Sequence, residues 1–497
     1  MDTNRVYLEN GMKAVKAYYQ ASVIEEYNDN PFIEALPALE NKPQIIQKLA
    51  VNPTFRKEEI ELEATYRLHI VQRLFKFYQP LPIHIEIWNM IMELIRQGYI
   101  ARNPYNAEYI RSQHLITNML TKNTFNLSAE HSFRTTASTA VLIGFSGMGK
   151  TTTVNRVLSN IPQVIVHNQY KGESFSQMQL SWLKLEAPHD ASVKALCLQF
   201  FLKVDEIMGT NNYKTYIAQR LSTDTLLPLM GKVGQNVGLG LLVIDEVQHL
   251  IGSKLDKVMN YFVTLINSFG IPVLFIGTPA AYPIFQNELR LSRRLTGHGE
   301  VIWNNMQKDD VFKFFLESVW KYQLTRQYTE LNQELMDIFH EETQGISDLI
   351  IKLFVGVQYE AIETGGEKIT ATLIKRVAKK KFRAMREMIE AIKSKNPYKI
   401  ARYEDIKTIN DQDHIEKEYK TTNIQRVQSK QNELPKKIDI KEEVRKETLK
   451  TKEKKIKKSY EEGDIRKIII EAKDSNNNPH ELLMNNECID DMSRWEA

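Results

Sequence analysis

Short apolar runs punctuate the middle of the chain: Ala140-Val141-Leu142-Ile143, Gln163-Val164-Ile165-Val166-His167, Leu241-Leu242-Val243-Ile244 and Ile271-Pro272-Val273-Leu274-Phe275-Ile276. Each is too short for a helix that buries one stripe, and near-continuous apolar character suits strands covered on both faces, as in a parallel sheet. Alternation in Gln179-Leu180-Ser181-Trp182-Leu183-Lys184-Leu185-Glu186 predicts one further strand. Between these runs apolar residues recur at helical spacing, over 150–158 and 191–208. Strand and helix therefore alternate from about 138 to 306, which predicts an α/β unit with a parallel sheet.

The flanks read differently. Residues 1–121 show helical spacings interrupted by Pro31, Pro37, Pro43 and Pro53, and predict an all-helical N-terminal domain. Its aromatics, such as Phe75, Phe77, Tyr78 and Trp88, are interleaved with Leu and Ile and read as core rather than as a stacking surface for nucleic acid. The α/β core is placed at 122–306. Beyond it four helical patterns, 309–322, 330–342, 347–364 and 370–395, predict a small helical lid over 307–395, with Gln344-Gly345 as a break. Residues 396–460 lose aromatic and branched apolar content as charge rises, which predicts a linker. Residues 461–497 regain some pattern in Ile468-Ile469-Ile470 and suit a docking tail.

Charge changes this picture in one respect. The net charge of +4 conceals a basic arm followed by an acidic end: residues 371–460 carry 27 Lys and Arg against 14 Asp and Glu, and residues 461–497 carry 4 against 10. Two cysteines, Cys197 and Cys488, offer neither a disulfide framework nor metal-ligand spacing and suit a reducing cytoplasm. The start lacks the basic-then-apolar build of a signal peptide, and no apolar run is long enough to span a bilayer. No internal repeat of fixed period is present, which argues against a solenoid.

The chemistry begins at the end of the first apolar run. Gly144-Phe145-Ser146-Gly147-Met148-Gly149-Lys150-Thr151, followed by Thr152, joins a predicted strand to a predicted helix, the setting of a phosphate-binding loop. Glycines let successive N–H groups turn onto phosphate oxygens, Lys150 reaches the outer phosphates, and the Thr151 hydroxyl holds Mg²⁺. The cofactors predicted are thus ATP and Mg²⁺. Asp245 and Glu246 emerge at the carboxyl end of the Leu241 run, where ligands sit in open α/β sheets. Asp245 suits Mg²⁺, and Glu246 suits the water that attacks the γ-phosphate. Thr278, after the run ending at Ile276, either senses the γ-phosphate or caps its strand. Downstream, Arg290, Arg293 and Arg294 exceed what the single Glu288 can pair, so at least one is offered to a neighbouring subunit's nucleotide, or the three form a basic surface patch.

Together these residues resemble the AAA+ family, and within it the TnsC and TniB group of ATP-dependent target-site regulators of cut-and-paste DNA transposons. The specific stretches are Tyr27-Asn28-Asp29-Asn30-Pro31-Phe32-Ile33-Glu34-Ala35-Leu36-Pro37 and Trp182-Leu183-Lys184-Leu185-Glu186-Ala187-Pro188-His189-Asp190, with Ile276-Gly277-Thr278-Pro279 and Thr343-Gln344-Gly345-Ile346 in support. They extend from about residue 20 to 395. The resemblance implies an AAA+ P-loop core with a helical N-terminal domain that meets a partner, a lid and a charged tail. It implies an ATPase of the bacterial cytoplasm that assembles as a ring or filament on double-stranded DNA, largely without reading sequence. It also implies TnsA/TnsB-like transposase subunits and a TnsD/TniQ-like target selector as partners, with disassembly on hydrolysis. Arg293 or Arg294 fits the arginine supplied in trans, and Thr278 the first sensor. Many lids carry a second-sensor arginine where this chain has Gly345-Ile346-Ser347-Asp348, with only Lys352 a turn later.

For DNA contact, Lys171, Lys184 and Lys214 lie in the stretch that could face a ring's channel, or are solvated surface lysines, and Lys375 to Arg383 form a denser basic cluster. The alternative reading, a replication initiator or helicase loader, would share this nucleotide apparatus but usually append an origin-reading helix-turn-helix after the lid.

Overall fold

The computed structural model describes residues 4–121, 135–219, 221–251, 255–286, 299–400 and 402–403. Among these the strands are β1 (Arg5–Tyr7), β2 (Lys13–Lys16), β3 (Thr139–Gly144), β4 (Val164–Tyr170), β5 (Glu173–Leu180), β6 (Trp182–Glu186), β7 (Leu241–Asp245), β8 (Val273–Gly277) and β9 (Glu300–Trp303). Five of them build a parallel sheet in the order β6-β7-β8-β3-β9, with Val141 opposite Phe275 and Leu274 opposite Val243.

The apolar runs are continuous because this sheet is covered on both sides. Ala140, Leu142, Leu241, Val243, Leu274 and Ile276 face one core, whereas Val141, Ile143, Leu242, Ile244, Val273 and Phe275 face the other. Helices Val193–Met208, Thr223–Asn236 and Leu255–Phe269 contribute to the second core. The first is closed by Lys150–Leu158 and by the long helix Pro82–Ile100, which brings Ile87, Trp88, Ile91, Leu94 and Ile95 to the sheet side.

That helix belongs to the stretch expected to be a helical domain of its own. Two findings correct this expectation. The stretch contains β1 and β2, and β2 pairs in parallel with β4 to make a second sheet of order β1-β2-β4-β5. In addition, residues 82–100 share one core with the P-loop sheet. Helical spacing was real there, but strands of three and four residues carry too little pattern to stand out.

A second correction concerns 179–186, expected to be one strand. It is two, β5 and β6, divided at Ser181 and assigned to different sheets. The Ser181 N–H bonds the Gln163 carbonyl at 2.8 Å, so the chain changes partner without breaking its alternation. β4, expected among the strands of the parallel sheet, joins the smaller sheet instead, between β2 and β5.

The stretch expected to be a helical lid, called the lid below, comprises Asp310–Trp320, Gln333–Thr343, Ser347–Glu363, Ala371–Lys381 and Arg386–Ser394. The last two were expected as one helix; the break follows buried Phe382, whose N–H closes the preceding helix on the Ala378 carbonyl. Arg67, buried in the N-terminal region, forks onto Glu367 at 2.8 and 2.5 Å and ties the lid to residues 64–71. The basic cluster is partly neutralised: Arg376 lies 2.8 Å and Lys380 3.7 Å from Glu360. The linker and tail, from 404 onward, lie outside the described residues. No helix among the described residues is long and apolar enough to cross a membrane.

Candidate nucleotide-binding site

The phosphate loop runs from the end of β3 into helix Lys150–Leu158. Its turn needs left-handed backbone at Gly147 (φ +82°) and Gly149 (φ +98°), which glycine adopts without steric cost. A Cβ at Gly147 would also come within 3.1 Å of Ile346 Cγ2, so the loop is cramped by the lid. Lys150 is buried, and its Nζ donates to the carbonyls of Gly144 at 2.7 Å and Phe145 at 3.0 Å. The ammonium is thereby held within the concavity of the loop.

Register places the acidic pair beside this loop. Because β8 separates β3 from β7, the carboxyl ends of the three strands present Thr151, Thr278 and Asp245 on one edge. The Thr151 hydroxyl donates to Asp245 Oδ2 at 2.9 Å, and Asp245 Oδ1 accepts the Glu246 N–H at 3.0 Å. Glu246 takes a left-handed conformation, φ +55° and ψ +41°, unusual for a residue other than glycine and a mark of local strain. Gln248 holds the turn: its Nε2 donates to Glu246 Oε2 and its Oε1 accepts the Thr278 N–H at 3.2 Å. Thr278 itself is buried, and its Oγ1 finds no partner among the described residues. The capping alternative is therefore unsupported, since the threonine makes no side-chain cap bond. A buried hydroxyl without a partner costs stability unless a ligand uses it.

Next to the loop lies a cavity of about 150 Å³, lined by Tyr78, His84, Gly147, Met148, Trp303 and Ile351 among others. Tyr78 stacks on His84 at 4.9 Å, and His84 meets Trp303 edge-on at 5.0 Å. The Tyr78 hydroxyl is 2.7 Å from Thr153 Oγ1, which fixes the ring against the P-loop helix. His84 Nδ1 accepts the Leu81 N–H at 2.9 Å, so its proton is on Nε2, and burial pushes the imidazole pKa down to about 3. The result is a largely aromatic, half-enclosed space beside a phosphate cradle, with Asp348 on its rim, of the kind that takes a nucleobase.

The lid closes this space from above. Ser347 Oγ donates to the carbonyls of Gly147 (3.1 Å) and Met148 (3.0 Å), and the Asp348 N–H bonds Gly147 at 3.1 Å. Lys352, one turn beyond the stretch where a second-sensor arginine was sought, pairs with Asp348 at 2.5 Å.

Of the residues picked from sequence, 144–152, Asp245, Glu246 and Thr278 converge on one sheet edge. Arg293 and Arg294 lie outside the described residues. The three lysines suggested for DNA are not brought together. Lys171 sits at the exposed turn between β4 and β5, paired with Asp29, and Lys214 is exposed on helix Asn212–Ala218. Lys184 contradicts its DNA assignment: its Nζ is 2.8 Å from Asp245 Oδ2 and 3.0 Å from Asn155 Oδ1, inside the nucleotide site. Sequence reasoning missed Tyr78, His84 and Trp303, which come from opposite ends of the core, as well as Gln248 and Ser347. Gln248, two residues past Glu246, had a positional signal; the aromatics had none.

An Mg²⁺ ion fits the oxygens of Thr151 and Asp245, a hydroxyl and a carboxylate 2.9 Å apart at the mouth of the phosphate loop. Residues 134–285 match the family model described as an AAA domain. The solved structure of Drosophila ORC bound to DNA is similar over 58% of this chain and 65% of that one, at 13% identity and a TM-score of 0.32. The Aeropyrum pernix ORC1 protein in complex with DNA is similar over 59% and 70%, at 13% identity and a TM-score of 0.33. For domain III of the Thermotoga maritima replication initiation protein DnaA the shares are 55% and 92%, at 14% identity and a TM-score of 0.28. No curated protein matches the chain. The matched family and the sheet order give the chain an AAA+ fold with a parallel five-stranded sheet at its P-loop core.

Proposed function

We propose that this chain is an ATP-hydrolysing switch that assembles on double-stranded DNA and regulates DNA transposition, bridging a target selector and a transposase. The observation that carries the switch is the lid contact. Ser347 and Asp348 bond the backbone of Gly147 and Met148, the loop that would wrap the phosphates, so nucleotide occupancy and lid position are mechanically joined. Lys150 would exchange its carbonyl partners for phosphate oxygens. Glu246 would orient and polarise the attacking water, with Thr278 Oγ1 as the buried hydroxyl facing the transferring group. Mg²⁺ on Thr151 and Asp245 would neutralise charge between the phosphates. Arg293 or Arg294 of a neighbouring copy would complete the site.

The transposition role is supported by the Tyr27–Pro37 and Trp182–Asp190 stretches, which resemble TnsC; the basic arm supports contact with DNA. TnsA/TnsB-like subunits would dock on 461–497 and a TnsD/TniQ-like selector on residues 1–121. Glu246→Gln tests the switch: ATP affinity should stay within about threefold while turnover falls by 100-fold or more, as when the group aligning the nucleophile is lost. Equal turnover in variant and parent removes Glu246 from this role. If the parent binds a replicative helicase and leaves transposase subunits alone, the loader function takes precedence.

A further inference from the structure

Among the described residues, Lys184 is a cation that the fold delivers directly to the Asp245 carboxylate. β6 and β7 pair in parallel with Lys184 opposite Val243 and Glu186 opposite Asp245, so the lysine starts two residues short of the acid and its stem runs along the strand to reach it. Its Nζ lies 2.8 Å from Oδ2, and the side chain is 18% exposed against 5% for Asp245. Asn155, one turn into the P-loop helix, accepts from the same Nζ at 3.0 Å and fixes its direction. Oδ1 is already taken by the Glu246 N–H, so Oδ2 is the oxygen shared by Thr151 and Lys184. A largely buried carboxylate needs a positive partner, and here one is supplied by the chain.

We propose that Lys184 is a tethered counter-cation for Asp245 that competes with Mg²⁺ for Oδ2, and so sets the divalent-cation concentration at which the site takes nucleotide. Lys184 is a positioning residue: it keeps the Asp245 carboxylate aimed at Thr151, and Mg²⁺ must displace it. This inference rests on the nucleotide-binding reading. Two cations facing one carboxylate oxygen at contact distance repel, so binding of the second is weakened by the first.

The test is a Mg²⁺ titration of the full chain at a fixed concentration of a fluorescent ATP analogue, read by fluorescence, with thermal unfolding in EDTA alongside. Lys184→Met should lower the half-saturating Mg²⁺ by about three- to tenfold, the scale of one partly screened charge pair, and lower the Tm in EDTA. Lys184→Arg should restore the parent midpoint, and in an Asp245→Asn background Lys184→Met should leave it unmoved. Lys184→Gln keeps a bond to Asn155 and gives the same readout if the methionine variant folds poorly. An unchanged or raised Mg²⁺ midpoint in folded Lys184→Met or Lys184→Gln protein overturns the proposal. Failure of the parent to bind the analogue at any Mg²⁺ concentration overturns the nucleotide reading as well.

Discussion

The Thr278 hydroxyl is buried and unbonded, so replacing it with the isosteric Val removes a desolvated polar group and should leave stability unchanged or raise it by about 1 kcal/mol. ATP turnover should nonetheless fall by about tenfold or more, the scale of losing one donor to a transferring group. A Thr278→Val protein with parental turnover would show the hydroxyl to be idle. His84 and His167 carry a second prediction. Burial holds their pKa values at about 3 and about 4, below the 6.5 of an exposed imidazole. Between pH 6.5 and 5 the unfolded chain takes up protons that the folded one refuses, so stability should fall with pH by up to about 1.4 kcal/mol per unit for each histidine. Denaturant midpoints across that window should show a shallower decline in His84→Gln, and an identical slope would contradict it. That Lys150, Thr151, Asp245 and Glu246 share one sheet edge was legible because each sits in a short local pattern, a glycine-rich loop or a strand end. Lys184 was misread because its partner is 61 positions away, and only the lateral pairing of β6 with β7 joins them.

At the scale of elements, the phosphate loop, the buried strands and the lid helices followed from local pattern, and the errors fell where pattern is blind to partner. β5 and β6 form one uninterrupted alternation yet serve different sheets, and helix Pro82–Ile100 looks the same whether it packs on its own bundle or across the P-loop sheet. Its position yields a prediction. Trp88 is 2% exposed within the core shared with β3 and β7, and truncating it to Ala should cost about 3–5 kcal/mol. The loss should appear as one cooperative transition that includes the nucleotide site. Separate melting of an N-terminal unit would contradict the shared core. The lid entry is equally constrained: Gly345 has φ +69°, and a Cβ there would sit 1.9 Å from the Met306 carbonyl oxygen. Gly345→Ala should therefore shift the lid off Gly147 and weaken nucleotide binding more than Ser347→Ala, measured as the ratio of their dissociation constants to that of the parent.

At the scale of the molecule, ATP is cast as a timing element. The P-loop sheet, the N-terminal segment across it and the helices that touch the phosphate loop through Ser347 belong to one compact unit. In the proposed function the basic stretch 371–460 would supply charge for a duplex, and such a grip should weaken steeply with salt. Deleting 461–497 should spare assembly on DNA and reduce transposase recruitment, scored by co-sedimentation of the two proteins; loss of assembly would remove the docking role. The most direct test of the whole account is electron microscopy of the full chain with duplex DNA and a slowly hydrolysed ATP analogue. The account predicts rings or filaments threaded by DNA with the analogue, and none with ADP or with Lys150→Ala. Assemblies that form equally with ADP, or a chain that stays monomeric beside DNA and analogue, would contradict it.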